Sequence, residues 1–348
     1  MKRISILCLI LTISALRLFS QDEKVTAFVA EGVKLHDKGN YSAAVKEFQK
    51  ALAIDANSTL ALYESANTYF AMKNYDKAIE HTDKIISLHK GNVDESYVLK
   101  GSALDLLNKP LDAIATYKQG IKDYPDDYFL YYNLALTSYN QKLIPEAEEA
   151  LKKGLVLNPQ HASSHLLLGY IKQEQGDRTK SLLALYNFLL LEPASQRTKV
   201  ALEQLTTQMK AGVVRKDKKT TNIFMNTSVS PGDDSSSAAS FRAADFSLSI
   251  MEAGKDIDKN KHKTEQELFV SSTGTFLGIL GELKKDNKGF WWNYYVDFFY
   301  ALDKAKHIEA FCYYITQSKD DKEINTWLKK NKSKVTAFAD WYGKYDRR

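Results

Sequence analysis

Cysteine is almost missing from these 348 residues, with Cys8 and Cys312 the two present. An intrachain disulfide would have to join those two, and Cys8 lies in a leader-like segment. The fold must therefore hold together by packing. Cys312, inside Ala310-Phe311-Cys312-Tyr313-Tyr314, reads as a buried small apolar residue rather than a nucleophile. The chain also lacks a phosphate loop, a dinucleotide fingerprint and a His-Glu-x-x-His metal motif. It has no Gly-x-Ser-x-Gly nucleophile turn. The seven histidines are scattered. His161 and His165 are four apart but straddle a unit boundary, and no acidic or cysteine partner is near them in sequence. No metal site is expected there. No catalytic residue, cofactor or metal is expected, and the chain reads as a non-enzyme. Charge of one sign is also scarce. A formal net charge of +5 gives no reason to invoke nucleic acid.

A long apolar run is missing as well. The longest, Ile4 to Leu16, spans thirteen residues and is followed by Arg17. That falls short of the roughly 20 residues a membrane span needs. With Lys2 and Arg3 before it and Leu18-Phe19-Ser20 after it, the segment reads as a secretory signal peptide over residues 1–20, with cleavage expected after Ser20. An uncleaved anchor is the competing reading. Cleavage leaves a chain of 328 residues with a formal charge of +2. The expected location is outside the cytoplasm, in the periplasm of a Gram-negative bacterium, with no membrane span after cleavage.

What the chain does have is a period. Ala44, Ala78, Ala113, Ala147 and Ser181 recur at spacings of 34, 35, 34 and 34 residues. Five residues before each stands a turn position: Gly39, Lys73, Asn108, Lys142 and Gly176. One residue near Val93 breaks the register. A fixed period of this length marks stacked supersecondary units. Each unit reads as two amphipathic helices around a short turn, as in Ala44, Val45, Phe48, Ala51, Leu52 and Ile54 at i, i+3, i+4, i+7 spacing. Small residues where the helices cross let the backbones approach, and a large residue opposite fills the gap. Pro125, Pro159 and Pro193 close the last three units.

These residues resemble the tetratricopeptide repeat (TPR) family. The family's small position in the first helix is held by Gly32, Ala66, Gly101, Ala135 and Gly169. Its large position in the second helix is held by Phe48, Thr82, Tyr117, Leu151 and Leu185. The family tryptophan is absent, its place taken by Phe28, Leu62, Tyr97, Tyr131 and His165. The resemblance covers about residues 25–209 and implies an all-α superhelix of five helix-turn-helix units plus a capping helix from Gln196 to about Met209. It also implies a concave groove lined by the first helix of each unit. On this sequence the groove residues are Tyr63, Asn67 and Phe70, then Tyr132, Asn133, Tyr139 and Asn140, then Tyr170. Tyrosine offers rigid contact area, and asparagine amides pair with both groups of an extended backbone. The family's lysine/asparagine/arginine clamp for a C-terminal carboxylate is not reproduced, since Val29, Val33, Val98 and Leu99 stand at its positions. A chaperone-tail receptor is not expected.

After Met209 the composition changes. Residues 210–240, with Arg215-Lys216-Asp217-Lys218-Lys219 and a Ser/Gly/Asp-rich stretch, read as linker. Within it Ile223-Phe224-Met225 either docks or forms a short strand. Residues 241–348 read as a separate helical domain without the period. Phe290-Trp291-Trp292-Asn293-Tyr294-Tyr295-Val296-Asp297-Phe298-Phe299-Tyr300 holds eight aromatic residues in eleven. A helix apolar on every side is either buried or an interface. The segment is thus a core helix or a second interface centred on Trp291 and Trp292. The layout expected is 1–20 signal peptide, 21–209 TPR array, 210–240 linker and 241–348 aromatic-rich helical domain. The function expected is an interaction scaffold that takes a peptide or helix of another protein. The alternatives are a structural subunit using the aromatic domain as its interface, and an enzyme with a site near Asp297, His307 or Glu309. A groove filled by the chain's own C-terminal domain is also open.

Overall fold

The computed structural model describes residues 21–216, 221–224, 235–255, 260 and 262–346. The expected signal peptide and parts of the expected linker lie outside them. The chain divides into two compact units, one ending at Ala150 and one beginning at Leu151.

The first unit is a run of antiparallel helices: α1 (21–37), α2 (Tyr41–Ile54), α3 (Thr59–Ala71), α4 (Tyr75–Leu88), α5 (Val93–Leu106), α6 (Pro110–Asp123), α7 (Tyr128–Asn140) and the start of α8 (Ile144–Leu157). Each helix from α2 to α7 packs on the next. The recurrent turn position is left-handed throughout, with φ of 76° at Gly39, 60° at Lys73, 58° at Asn108, 61° at Lys142 and, in the second unit, 74° at Gly176. A residue in that conformation ends one helix and starts the next at a fixed angle. The period is therefore a backbone property, which lysine fills at some cost. The extra residue that breaks the register lies in α5, 14 residues long where α3 and α7 have 13.

The crossing of small and large residues is physical. A methyl on Gly32 would overlap the Phe48 ring, and one on Gly101 would overlap the ring of Tyr117. Phe48 is fully buried, with Val25, Val29, Ala44, Ala51 and Ala61 forming the core of the first repeat around it. Val29 and the partly buried Val33 belong to that cluster, so these two clamp positions are core.

The second unit holds the rest of α8, then α9 (Ala162–Glu174), α10 (Arg178–Leu191), α11 (Gln196–Lys210), a two-stranded antiparallel hairpin of β1 (Val213–Arg215) and β2 (Thr221–Ile223), α12 (Ser235–Ala253) and α13 (Glu265–Leu283). A π-helical turn (Trp291–Val296) then runs into α14 (Asp297–Lys304), followed by α15 (Ile308–Ile315), α16 (Lys322–Lys330) and α17 (Lys332–Lys344). Apart from the small hairpin, the regular elements among the described residues are helices. The expected capping helix is α11, opened by a Ser195/Thr198 capping box. Ile223 takes the strand alternative.

The compact division differs from the boundary placed at residues 210–240. The reason is α10. Every residue of it from Arg178 to Leu190 is buried, including Leu182, Leu183, Leu185, Tyr186, Phe188 and Leu189. A repeat helix needs one apolar stripe. This one is buried all round, and its outer face is covered by α11, α12 and α15. Tyr186 sits at the centre of the aromatic core, with ring centroids 5.8 Å from Phe299, 5.8 Å from Phe311 and 6.5 Å from Phe269. Its hydroxyl is 2.9 Å from Thr273 Oγ1. The fifth repeat is thus the wall on which the C-terminal helices are built.

Candidate functional site

In the first unit the groove candidates come from α3 and α7. Helix α3 starts at Ser58, whose hydroxyl accepts from the Ala61 amide. It buries Ala61, Leu62, Ser65, Ala66 and Thr68 and leaves Tyr63, Asn67 and Phe70 half-exposed. Burial raises the Tyr63 pKa, and Glu95, Glu64 and Asp94 raise it further. Burial likewise raises that of Glu64. This wall therefore carries an acidic field around a tyrosine. Phe70 meets Tyr75 edge-on at 5.4 Å.

Helix α7 starts at Asp127, whose carboxylate accepts from the Phe129 amide at 2.8 Å. It buries Leu130, Tyr131, Leu134, Ala135, Thr137 and Ser138. Tyr132, Asn133 and Tyr139 are half-exposed and Asn140 is exposed. Asn133 Nδ2 donates to the Phe129 carbonyl at 2.8 Å, which orients the amide along its own helix. The Lys142 ammonium lies 5.4 Å from the Tyr139 ring centroid. Helix α5, between them in sequence, adds half-exposed Val98 and Leu99. The arrangement offers aromatic faces, amides and carboxylates to a ligand, and no arginine.

Tyr170 lies in the second unit. It is half-buried on α9, burial raises its pKa, and Arg197 opposes that shift. The neighbouring surface of α9 is taken up by the aromatic segment. His165 Nδ1 is 2.7 Å from the Tyr295 hydroxyl, and His165 Nε2 is 3.1 Å from the Pro159 carbonyl. His161 is hydrogen-bonded to Ser164 at 2.8 Å. No group of histidines, cysteines and carboxylates suited to a metal ion occurs among the described residues.

Trp291 and Trp292 are 5% and 1% exposed, so they present no interface, and the core alternative is the one the structure adopts. Trp292 stacks on Phe241 at 4.3 Å, and its Nε1 donates to Ser237 Oγ at 2.7 Å. Trp291 stacks on Tyr295 at 5.0 Å, with the ammonium groups of Lys172 and Lys180 at 5.6 and 5.8 Å from its ring. The π-helical turn widens the backbone by one residue, with the Asp297 amide donating to the Trp292 carbonyl. Sequence gave no sign of this turn, nor of the buried pair Arg178–Asp245. Arg178 contacts Asp245 and Ser249 of α12 and the carbonyls of Gln208 and Ala211. The one available signal was α10 itself, too apolar for a repeat helix that shows one face to solvent.

The groups that would anchor an enzyme are engaged in structural contacts. Asp297 pairs with Lys284, and Glu309 accepts from Lys334 and Trp327. His307 packs against Phe338 and Trp341, and burial lowers its pKa.

Two family models match the chain, both described as tetratricopeptide repeat, over residues 35–95 and 98–162. A TPR repeat-containing protein of Methanocaldococcus jannaschii is 29% identical over 124 residues, which are 36% of this chain and 22% of that protein. The chain thus spans about a fifth of that relative's length. Among solved structures, PilW, a type IV pilus biogenesis factor, superposes at a TM-score of 0.46 with 22% identity, over 53% of this chain and 90% of its own. YrrB, a TPR protein with an unusual peptide-binding site, does so at 0.42 with 18% identity, over 55% and 97%. The matched models and the repeat register agree, and by these the chain carries tetratricopeptide repeats over residues 35–162.

Proposed function

We propose that the chain is an exported scaffold that holds an extended peptide or a helix of an envelope protein against the first helices of its repeats, with no reaction of its own. The observation that carries this reading is the composition of α3 and α7. Both bury their small and aliphatic residues and leave aromatic residues half-exposed at two corresponding positions, Tyr63 with Tyr132 and Phe70 with Tyr139, with half-exposed Asn67 and Asn133 beside them. Such side chains bind at low entropic cost. Affinity for a short segment is expected to be about micromolar, because ordering it costs entropy. The leader-like first twenty residues support export, and the place proposed is the periplasm. The alternative of an aromatic C-terminal interface loses its support from the burial of Trp291 and Trp292.

In-cell photo-crosslinking with a probe at Tyr132 or Tyr139 tests the reading. One dominant envelope protein, lost on Asn133→Ala, is the expected result. Crosslinks confined to this chain's own C-terminal helices would overturn it.

A further inference from the structure

We propose that a cavity of about 370 Å³ between α11, α12 and α13 binds a single-chain anionic amphiphile, an alkyl chain ending in a carboxylate or a phosphate. The volume falls among small-ligand sites, roughly 300–1,000 Å³. Its floor is apolar: Met209, Leu248 and Phe269 are buried, and Met251 and Leu268 are half-buried. Two thioethers make the floor adaptable to a flexible chain.

The mouth is polar and carries an excess of positive charge. Lys210, Lys255 and Lys319 face two carboxylates, Glu252 and Glu265. Both carboxylates are engaged. Glu265 lies 4.0 Å from Lys210, while Glu252 lies 2.8 Å from Lys255 and 3.5 Å from Arg215. Lys319, at the end of the one-turn 3₁₀ segment Gln317–Lys319, makes no side-chain hydrogen bond or ion pair among the described residues. It is the cation left for an anionic head. The hydroxyls of Ser271 and Ser272 on α13 also line the cavity.

The walls exclude a peptide as occupant. They are mainly α-helical, so most of their backbone N–H and C=O groups are already paired. An extended backbone buried there would leave its own amides unsatisfied, at about 1–3 kcal/mol each. An alkyl chain has no such groups. Water at the floor is disfavoured, because it needs two to four polar partners and the floor supplies none.

Calorimetric titration of the full chain tests the proposal, with dodecanoate, dodecyl phosphate and dodecanol as probes below their micelle concentrations. One-to-one saturable binding of at least one anion is expected, which also tells the two head groups apart. Shortening dodecanoate should weaken binding about fourfold per methylene removed. Lys319→Ala should weaken it five- to tenfold with the circular dichroism spectrum unchanged, and Leu268→Trp, which fills the cavity, should abolish it. Absence of saturable binding by either anion would overturn the proposal. So would dodecanol binding as tightly as dodecanoate, or an unchanged affinity in Lys319→Ala. Lys319 is exposed, so that variant decides the matter even where Leu268→Trp does not fold.

Discussion

Replacing Arg178 by Met tests whether the fifth repeat belongs to the C-terminal unit. Arg178 is 9% exposed, and its guanidinium pairs with Asp245, 5% exposed, on α12. It also donates to Ser249 Oγ at 2.9 Å and to the Ala211 carbonyl at 2.6 Å. Methionine keeps the apolar length but strands a buried carboxylate and a carbonyl. Removing one partner of such a pair costs about 3–5 kcal/mol. With a guanidinium m-value of about 4 kcal/mol/M, the unfolding midpoint should fall by about 1 M. The assay is tryptophan fluorescence, because all four tryptophans (Trp291, Trp292, Trp327 and Trp341) lie beyond Leu151 and report on that unit alone. Adding Asp245→Leu should recover most of the loss, since an apolar pair replaces an ionic one. The pH dependence has a definite sign. Burial raises the Asp245 pKa and Arg178 pulls it back. Without Arg178 it rises further above its unfolded value of about 3.9. The folded state then binds the proton more tightly, and its stability is lost as pH rises through the folded pKa. The deficit against the parent should be smaller at pH 5 than at pH 8. A tryptophan transition that does not move, or a deficit equal at both pH values, would refute the argument.

Gly101→Ala places a methyl against the Tyr117 ring and should destabilise by about 1–3 kcal/mol in a circular-dichroism melt. Gly343→Ala on α17, where an added methyl meets nothing within 4 Å, should stabilise by up to about 1 kcal/mol. Equal effects at the two sites would remove the packing account of the repeat. Lys73→Gly relieves a left-handed residue at φ 60°. It gains about 1–2 kcal/mol from that relief and loses about 0.5–1 to unfolded-state entropy. A net gain of about 0.5 kcal/mol in chemical denaturation is expected, and a net loss would mean that the Lys73 side chain stabilises its turn.

The repeat was legible because its determinants are local. A left-handed turn and a small residue opposite a large one recur at fixed spacing, so Gly39, Ala44 and Phe48 announce a unit that Lys73, Ala78 and Thr82 repeat. The capping helix was legible for the same reason: a Ser at a helix terminus acts on its own neighbours. The groove candidates Tyr63, Asn67, Tyr132 and Asn133 follow from register once each helix is placed, and they stand half-exposed as the register requires. The sequence by itself thus determined the helices, their period and which face of each is apolar, because those depend on residues within one or two turns. Only the tertiary structure decided where the compact units divide. It brought Tyr186 to Thr273, Arg178 to Asp245 and His165 to Tyr295, contacts 67 to 130 residues apart in the chain. Aromatic rings and buried polar groups take whichever distant partner satisfies them, and the order of residues along the chain does not name that partner.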